Sequence, residues 1–341
     1  MPHGVAALRK LGVEIGPGDG VPFRGIRFID HELEAQADFP GDWGYGVRRT
    51  TLHKLLVERA CQAGVEMHWG ARVEFGEGGK VYANGDAVRS RWIVGADGQN
   101  SRVKKWAGLG AKFEGAPRYG FRRHYRVAPW SQQVEVHWNS QSEIYVTPTG
   151  ARDICVAVLT RNPQLRIDEA LQGFPAIAKR LTSAATTSKE RCGACVSRSL
   201  EDVLRGNVLL VGDASCTVDA ITGDGLSLAM QQAVSMARAL AKDDPAEYKK
   251  EHTRIVRQPM LMSRVMLMLA ERRWMQRRAI RRLSAHPKLF RRLLSMHVGE
   301  MRLPLSAFGH APEFFERSLH VRDGNGHRSY AEFGRSETEP Q

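Results

Sequence analysis

Two Gly-Asp pairs stand where an apolar run ends. Residues 208–211 lead into Gly212-Asp213-Ala214, and Gly223-Asp224-Gly225 follows before an amphipathic run that starts at Leu226. Upstream, residues 92–94 lead into Gly95-Ala96-Asp97-Gly98, and Ser101 opens another helical pattern. A buried parallel strand delivers its C-terminal end to the sheet edge where ligands bind. A carboxylate there accepts hydrogen bonds from ribose or ribityl hydroxyls. Glycine lets backbone come close to a ligand. A helix start turns free N–H groups and a positive dipole end on the same spot, which suits a phosphate. The plainer reading is a strand-loop-helix turn with a capping aspartate, and for Asp97 and Gly98 an ordinary β-turn. Arg48 and Arg49 precede a helical run, where a cation opposes the dipole. They are either solvent-facing or opposite a ligand anion.

The elements that must position these residues follow from periodicity and punctuation. A helix is expected over 1–11, with Pro2 in its first turn and Val5, Leu8 and Leu11 on one face. A short strand is expected over 26–29. Residues 50–63 read as a helix capped by Thr50 or Thr51, striped by Leu52, Leu55, Leu56 and Ala60, and ended by Gly64. Residues 65–68 and 80–82 read as short strands. Residues 118–159 alternate as strands, broken by Ala128-Pro129-Trp130 and by Thr147-Pro148-Thr149-Gly150. Helix is expected over 163–182, strand over 208–211, and helix over 226–240. From Tyr248 the chain reads as helical and basic, and 323–341 as a polar, disordered tail.

The 341 residues carry a net charge of +13 and five scattered cysteines. That length suits two domains, or one large α/β domain with an insert. The charge admits anionic ligands, nucleic acid or an acidic membrane surface as partners and selects none. Unpatterned cysteines read as reduced thiols in a cytoplasmic protein. No stretch is apolar enough to span a bilayer, and no signal-peptide pattern opens the chain. Cys192 and Cys195 have no second pair at metal spacing, so no metal site is expected. In a strand, positions three apart face opposite sides, so these two thiols could not pair.

Taken in order, Arg49 with Leu52, then Gly95-Ala96-Asp97-Gly98 with Ser101 and Val103, then Gly212-Asp213-Ala214 with Gly223-Asp224-Gly225, resemble the flavoprotein monooxygenases of the para-hydroxybenzoate hydroxylase type and the related geranylgeranyl reductases. The resemblance covers about residues 1–240. It implies FAD as cofactor, NAD(P)H as electron donor, and a small-molecule or lipid-like substrate. It implies cofactor contacts from Arg49, Asp97, Gly98, Gly212, Asp213, Gly223, Asp224, Gly225 and Leu226. The family's G-x-G-x-x-G turn after an N-terminal strand is absent, so the chain resembles a family member truncated at its N-terminus. Ala220 replaces a usual proline and Cys216 a usual histidine, which brings the last motif closer to the reductase branch.

The expected fold is therefore α/β: an incomplete Rossmann-like FAD-binding domain with an inserted β-sheet substrate domain and C-terminal helices. The expected divisions are 1–115 and 201–242 for the FAD-binding domain, 116–200 for the sheet, 243–322 for basic helices, and 323–341 for the tail. The expected activity is an FAD-dependent monooxygenase. The alternatives are a prenyl or lipid alkene reductase on the same scaffold and a truncated flavoprotein without activity. No catalytic acid or base stands out; His124, His137 and Tyr145 fall in the presumed sheet and read as structural. In the basic region, Arg272, Arg273, Arg277, Arg278, Arg281, Arg282, Arg291 and Arg292 surround a stripe of Trp274, Ile280, Leu283, Leu289 and Leu293. That stripe either packs on the flavin domain or rests on a membrane surface. It lacks the aromatic interleaving of a nucleic-acid module, so no nucleic-acid partner is expected.

Overall fold

The computed structural model describes residues 1–301; the tail expected over 323–341 lies outside them. The chain is mixed α/β. Its largest sheet runs in the order Ala185–Thr186, Arg118–Arg126, Asp153–Thr160, Ser142–Gly150, Val134–Trp138, Gly25–Asp30, Leu33–Asp38, with Arg191–Cys195 also pairing Arg118–Arg126. All pairings are antiparallel except Val134–Trp138 beside Gly25–Asp30. The sheet therefore draws two strands from the segment assigned by sequence to the first part of the FAD-binding domain.

Alternation along these strands gives the sheet two apolar faces. On one, Phe121, Ile144, Val146, Ile154, Val156 and Val158 pack against Ile167, Phe174 and Ile177. Ile167 and Ile177 belong to two short helices, Ile167–Gln172 and Pro175–Leu181, with Phe174 between them as N-cap of the second, where one helical stretch was expected; Pro175 cannot continue a helix and starts a new one. On the other face, Ile26, Phe28, Ala35, Ala37, Val136 and Trp138 pack against Ile280, Phe290, Leu294 and Val298. The basic helices Arg273–Ala285 and Pro287–His297 thus lay their apolar sides on this sheet, and His297, at the end of the second, reaches Asp224 of the third motif. Their expected single stripe is interrupted because Pro287 restarts the helix and resets its phase. Phe290 and Leu294 are buried, while Trp274 and Leu289 are exposed.

A separate small sheet carries the Gly-Asp turns. Val208–Leu210 runs parallel to Ile93–Gly95, with Leu204–Arg205 antiparallel on its other side. Helix Gly225–Ala241 packs on the turn that follows Val208–Leu210, and the N-terminal helix Pro2–Lys10 crosses it. Gly4 makes that crossing close, since a Cβ at Gly4 would strike Ser227.

One strand expectation fails, and one helix is found with a different cap. Residues 65–68 form no strand, and Val65 is 52% exposed; a strand needs a neighbour for its backbone groups, and among the described residues none pairs here. The helix expected from Thr50 starts at Arg49 with Arg48 as its N-cap and no capping side chain. Arg48 instead reaches across to Asp153 at 3.1 Å and also donates to Thr187.

Candidate functional site

The parallel pair sets the site. Val208, Leu209 and Leu210 stand opposite Ile93, Val94 and Gly95 in register. Both strands therefore release their Gly-Asp turns at one end of the sheet. Leu209 and Leu210 are fully buried, which anchors the pair. Gly95 lets the strands and the following helix close up, because a Cβ there would press on Leu210 and Val103.

The first turn is held by its own side chains. Asp97 accepts from the backbone N–H of Arg102 at 2.6 Å and of Val103 at 3.2 Å, and Ser101 accepts from the N–H of Lys104. These groups cap the short helix Arg102–Trp106. Gly98 turns the chain at φ +79° with open space beside it.

The second turn is held from behind. Gly212 has φ +62°, a region that disfavours side chains. Its N–H donates to Oε1 of Gln232 at 2.7 Å, and Ser215 Oγ lies 3.1 Å from the same oxygen and 2.9 Å from Gly212 O. His252 Nε2 sits 2.9 Å from Ser215 Oγ. Burial pushes the His252 pKa down to about 4, so the ring is neutral at pH 7. With its backbone fixed, Asp213 stands exposed with no hydrogen bond from its side chain among the described residues. The protein around its carboxyl raises its pKa, and the positive charge of Arg49 opposes that rise. The structure thus brings Arg49 and Asp213, 164 positions apart in the sequence, to one electrostatic neighbourhood.

At the third motif, Gly223 turns at φ +66° and is exposed. A Cβ at Gly225 would meet nothing within 4 Å, and Leu226 is 39% exposed. The first N–H groups of helix Gly225–Ala241 have no intrahelical acceptors. Asp224 does not cap them. Its carboxylate is turned inward, 3.4 Å from Nε2 of His3 and 3.4 Å from Nε2 of His297. Burial alone would raise its pKa; His297 and His3 outweigh burial and hold it below the usual carboxylate range. Free N–H groups, bare glycines, one arginine and one outward carboxylate are the donor and acceptor set that a pyrophosphate with an attached polyol requires. The residues present fit a flavin dinucleotide at this edge.

One constellation had no motif to announce it. Arg118 reaches Asp219 and Glu143 at 2.8 Å each, and all three are buried. The Tyr145 hydroxyl lies 3.2 Å from the Glu143 carboxylate and 3.0 Å from the carbonyl of Ile221. The sheet is thereby tied to the 219–223 loop. Burial raises Glu143 to about 7 against the pull of Arg118, with Asp219 adding to the rise. Two carboxylates share one guanidinium, so Glu143 can hold a proton near neutrality. The sequence signal for it was a charged residue at inward positions of alternating strands. His124, also buried, has its pKa lowered to about 4 by burial, with Arg48 and Arg122 adding to it. Among the described residues no group of three or more His, Cys, Asp or Glu could hold a metal ion. All five cysteines are free, and Cys192 and Cys195 lie on one strand as free thiols.

Comparison with known proteins agrees with this geometry. Digeranylgeranylglycerophospholipid reductase 2 of Methanopyrus kandleri is 27% identical over 211 residues, 55% of this chain and 53% of that one. The chain spans about half the length of the curated reductases it matches. 3-Hydroxybenzoate 6-hydroxylase 1 of Aquipseudomonas alcaligenes is 26% identical over 291 residues, 74% of this chain and 73% of that one. Among solved structures, the flavin-dependent brominase Bmp2 superposes with a TM-score of 0.76 at 17% identity, covering 93% of this chain and 88% of that one. The 2-methyl-3-hydroxypyridine-5-carboxylic acid oxygenase superposes at 0.66 and 19% identity, covering 79% and 80%. These last two likenesses are of fold. The FAD binding domain family matches residues 23–244, nearly two thirds of the chain, and the chain belongs to that family.

Proposed function

We propose that this protein is an FAD-dependent oxidoreductase that takes electrons from NAD(P)H and oxygenates a small organic substrate. The observation that carries this reading is the in-register parallel pair, which sets two Gly-Asp turns at one sheet edge, where the charge of Arg49 acts on Asp213. In this reading Asp213 accepts from the ribityl or ribose hydroxyls, and Arg49 neutralises pyrophosphate charge. Gly98, Gly212, Gly223, Gly225 and Leu226 offer backbone to the cofactor. Asp97 and Asp224 serve the same site from behind, the first by capping a helix and the second by fixing the start of another.

Bound flavin supplies the two-electron redox chemistry, and the protein supplies position and charge. The N-terminal end of helix Gly225–Ala241 favours negative charge on a reduced ring. Glu143, Arg118 and Tyr145 hold the adjoining loop and keep a proton near neutral pH. The hydroxylase relative, spanning 74% of this chain, supports oxygenation. The reductase relatives support a second reading, saturation of a prenyl or lipid alkene.

Oxidation of NAD(P)H by the FAD-loaded protein, followed with and without oxygen, separates the two. Oxygen-dependent oxidation fits the first reading. Anaerobic oxidation with saturation of an alkene substrate fits the second. No oxidation of either nicotinamide under any condition contradicts both.

A further inference from the structure

The basic C-terminal helices carry more charge than their packing uses. Residues 272–299 hold eight arginines and one lysine, with no aspartate or glutamate. Helix Arg273–Ala285 is divided by side. Gln276 and Ile280 are buried and Leu283 is half-buried, at i, i+4 and i+7. Trp274, Arg278 and Arg281 repeat that spacing on the opposite side and are exposed, as a helical period requires. Trp274 is 67% exposed.

Helix Pro287–His297 buries Phe290 and Leu294 and leaves Lys288, Leu289, Arg291 and Arg292 exposed. Both helices lay their buried sides on the same strand, Leu33–Asp38, so their outer sides share one direction. Arg273 and Arg277 turn inward, 3.7 Å and 3.9 Å from the buried carboxylate of Asp30. Arg278, Arg281, Arg282, Arg291 and Arg292 have no acidic partner among the described residues.

We propose that this outer face docks on an anionic phospholipid surface, with Trp274 seated among the headgroups and the unpaired arginines on lipid phosphates. Charge complementarity picks an anionic partner. A tryptophan left in water beside arginines is the combination that settles at a membrane interface. The face offers no asparagine or glutamine for reading bases, which places nucleic acid second. No helix among the described residues is long and apolar enough to cross a membrane, so the contact lies along the surface. The inference stands apart from the redox reading.

The test is co-sedimentation of the full chain with phosphatidylcholine vesicles, with and without a minor fraction of phosphatidylglycerol. Binding is expected only to the anionic vesicles and falls on the order of tenfold between about 0.1 M and about 0.5 M salt. Replacing Arg278→Gln and Arg281→Gln together lowers it on the order of tenfold, and Arg278→Lys with Arg281→Lys restores it. Trp274→Ala lowers it about fivefold. These side chains are exposed, so melting temperatures of the variants should match the parent. Equal sedimentation with both vesicle types, no sedimentation with either, or wild-type binding by the glutamine pair overturns the proposal. So does DNA-duplex binding that equals vesicle binding and ignores Trp274→Ala, which would assign the face to nucleic acid.

Discussion

Arg118 and Asp219 meet at 2.8 Å across 101 residues of chain, one on the large sheet and the other at the start of the loop that ends in Gly223. The pair joins the sheet to the edge proposed to hold the cofactor. Removing one partner of a buried ion pair leaves the other charged and unpaired. Arg118→Met strands two carboxylates, Asp219 and Glu143. It should lower unfolding free energy by about 3 kcal/mol in urea titration. A loss under about 1 kcal/mol would mean that this contact does not hold the two parts together.

Glu143 adds a pH dependence. Its folded pKa is raised to about 7 from an ordinary 4.5. A carboxyl raised by folding favours the fold while protonated. Its contribution is fully present below pH 4.5 and is lost as pH rises through about 7. Glu143→Gln should flatten stability across that window, by on the order of 2 kcal/mol relative to the parent. Parallel curves for the two proteins would exclude Glu143 as the titrating group.

The two turn aspartates should part company. Asp97 caps a helix with both of its backbone bonds, so Asp97→Ala costs about 1 kcal/mol of stability. Its effect on FAD affinity should be small. Asp213 has no side-chain hydrogen bond among the described residues, so Asp213→Ala should leave the melting temperature near the parent's. It should weaken FAD binding on the order of tenfold, the worth of a lost hydrogen bond to a charged group. Calorimetry for one property and fluorescence titration for the other separate the variants.

Much of the local structure was legible in the sequence. The helices over 2–10 and 225–241 and the strand over 208–210 declare themselves by period and by their glycines and prolines. The two Gly-Asp turns were legible as motifs, and their meeting at one edge follows once the strands pair in parallel. Tertiary partners decided what was not legible. Residues 65–68 have strand composition but, among the described residues, no strand to pair with. Arg48 looked like a helix-start arginine and is taken by Asp153. Asp224 looked like a cofactor contact and faces two histidines, His3 and His297, that lie far away in sequence. Arg118, Glu143 and Asp219 have no fixed spacing, so only the folded sheet brings them together.

The central claim is that this edge holds FAD, and fluorescence titration of FAD with the purified chain tests it most directly. The account predicts saturable quenching of the flavin, weakened on the order of tenfold by Asp213→Ala and likewise by Arg49→Ala. Absence of saturable quenching, or quenching indifferent to both substitutions, would contradict it.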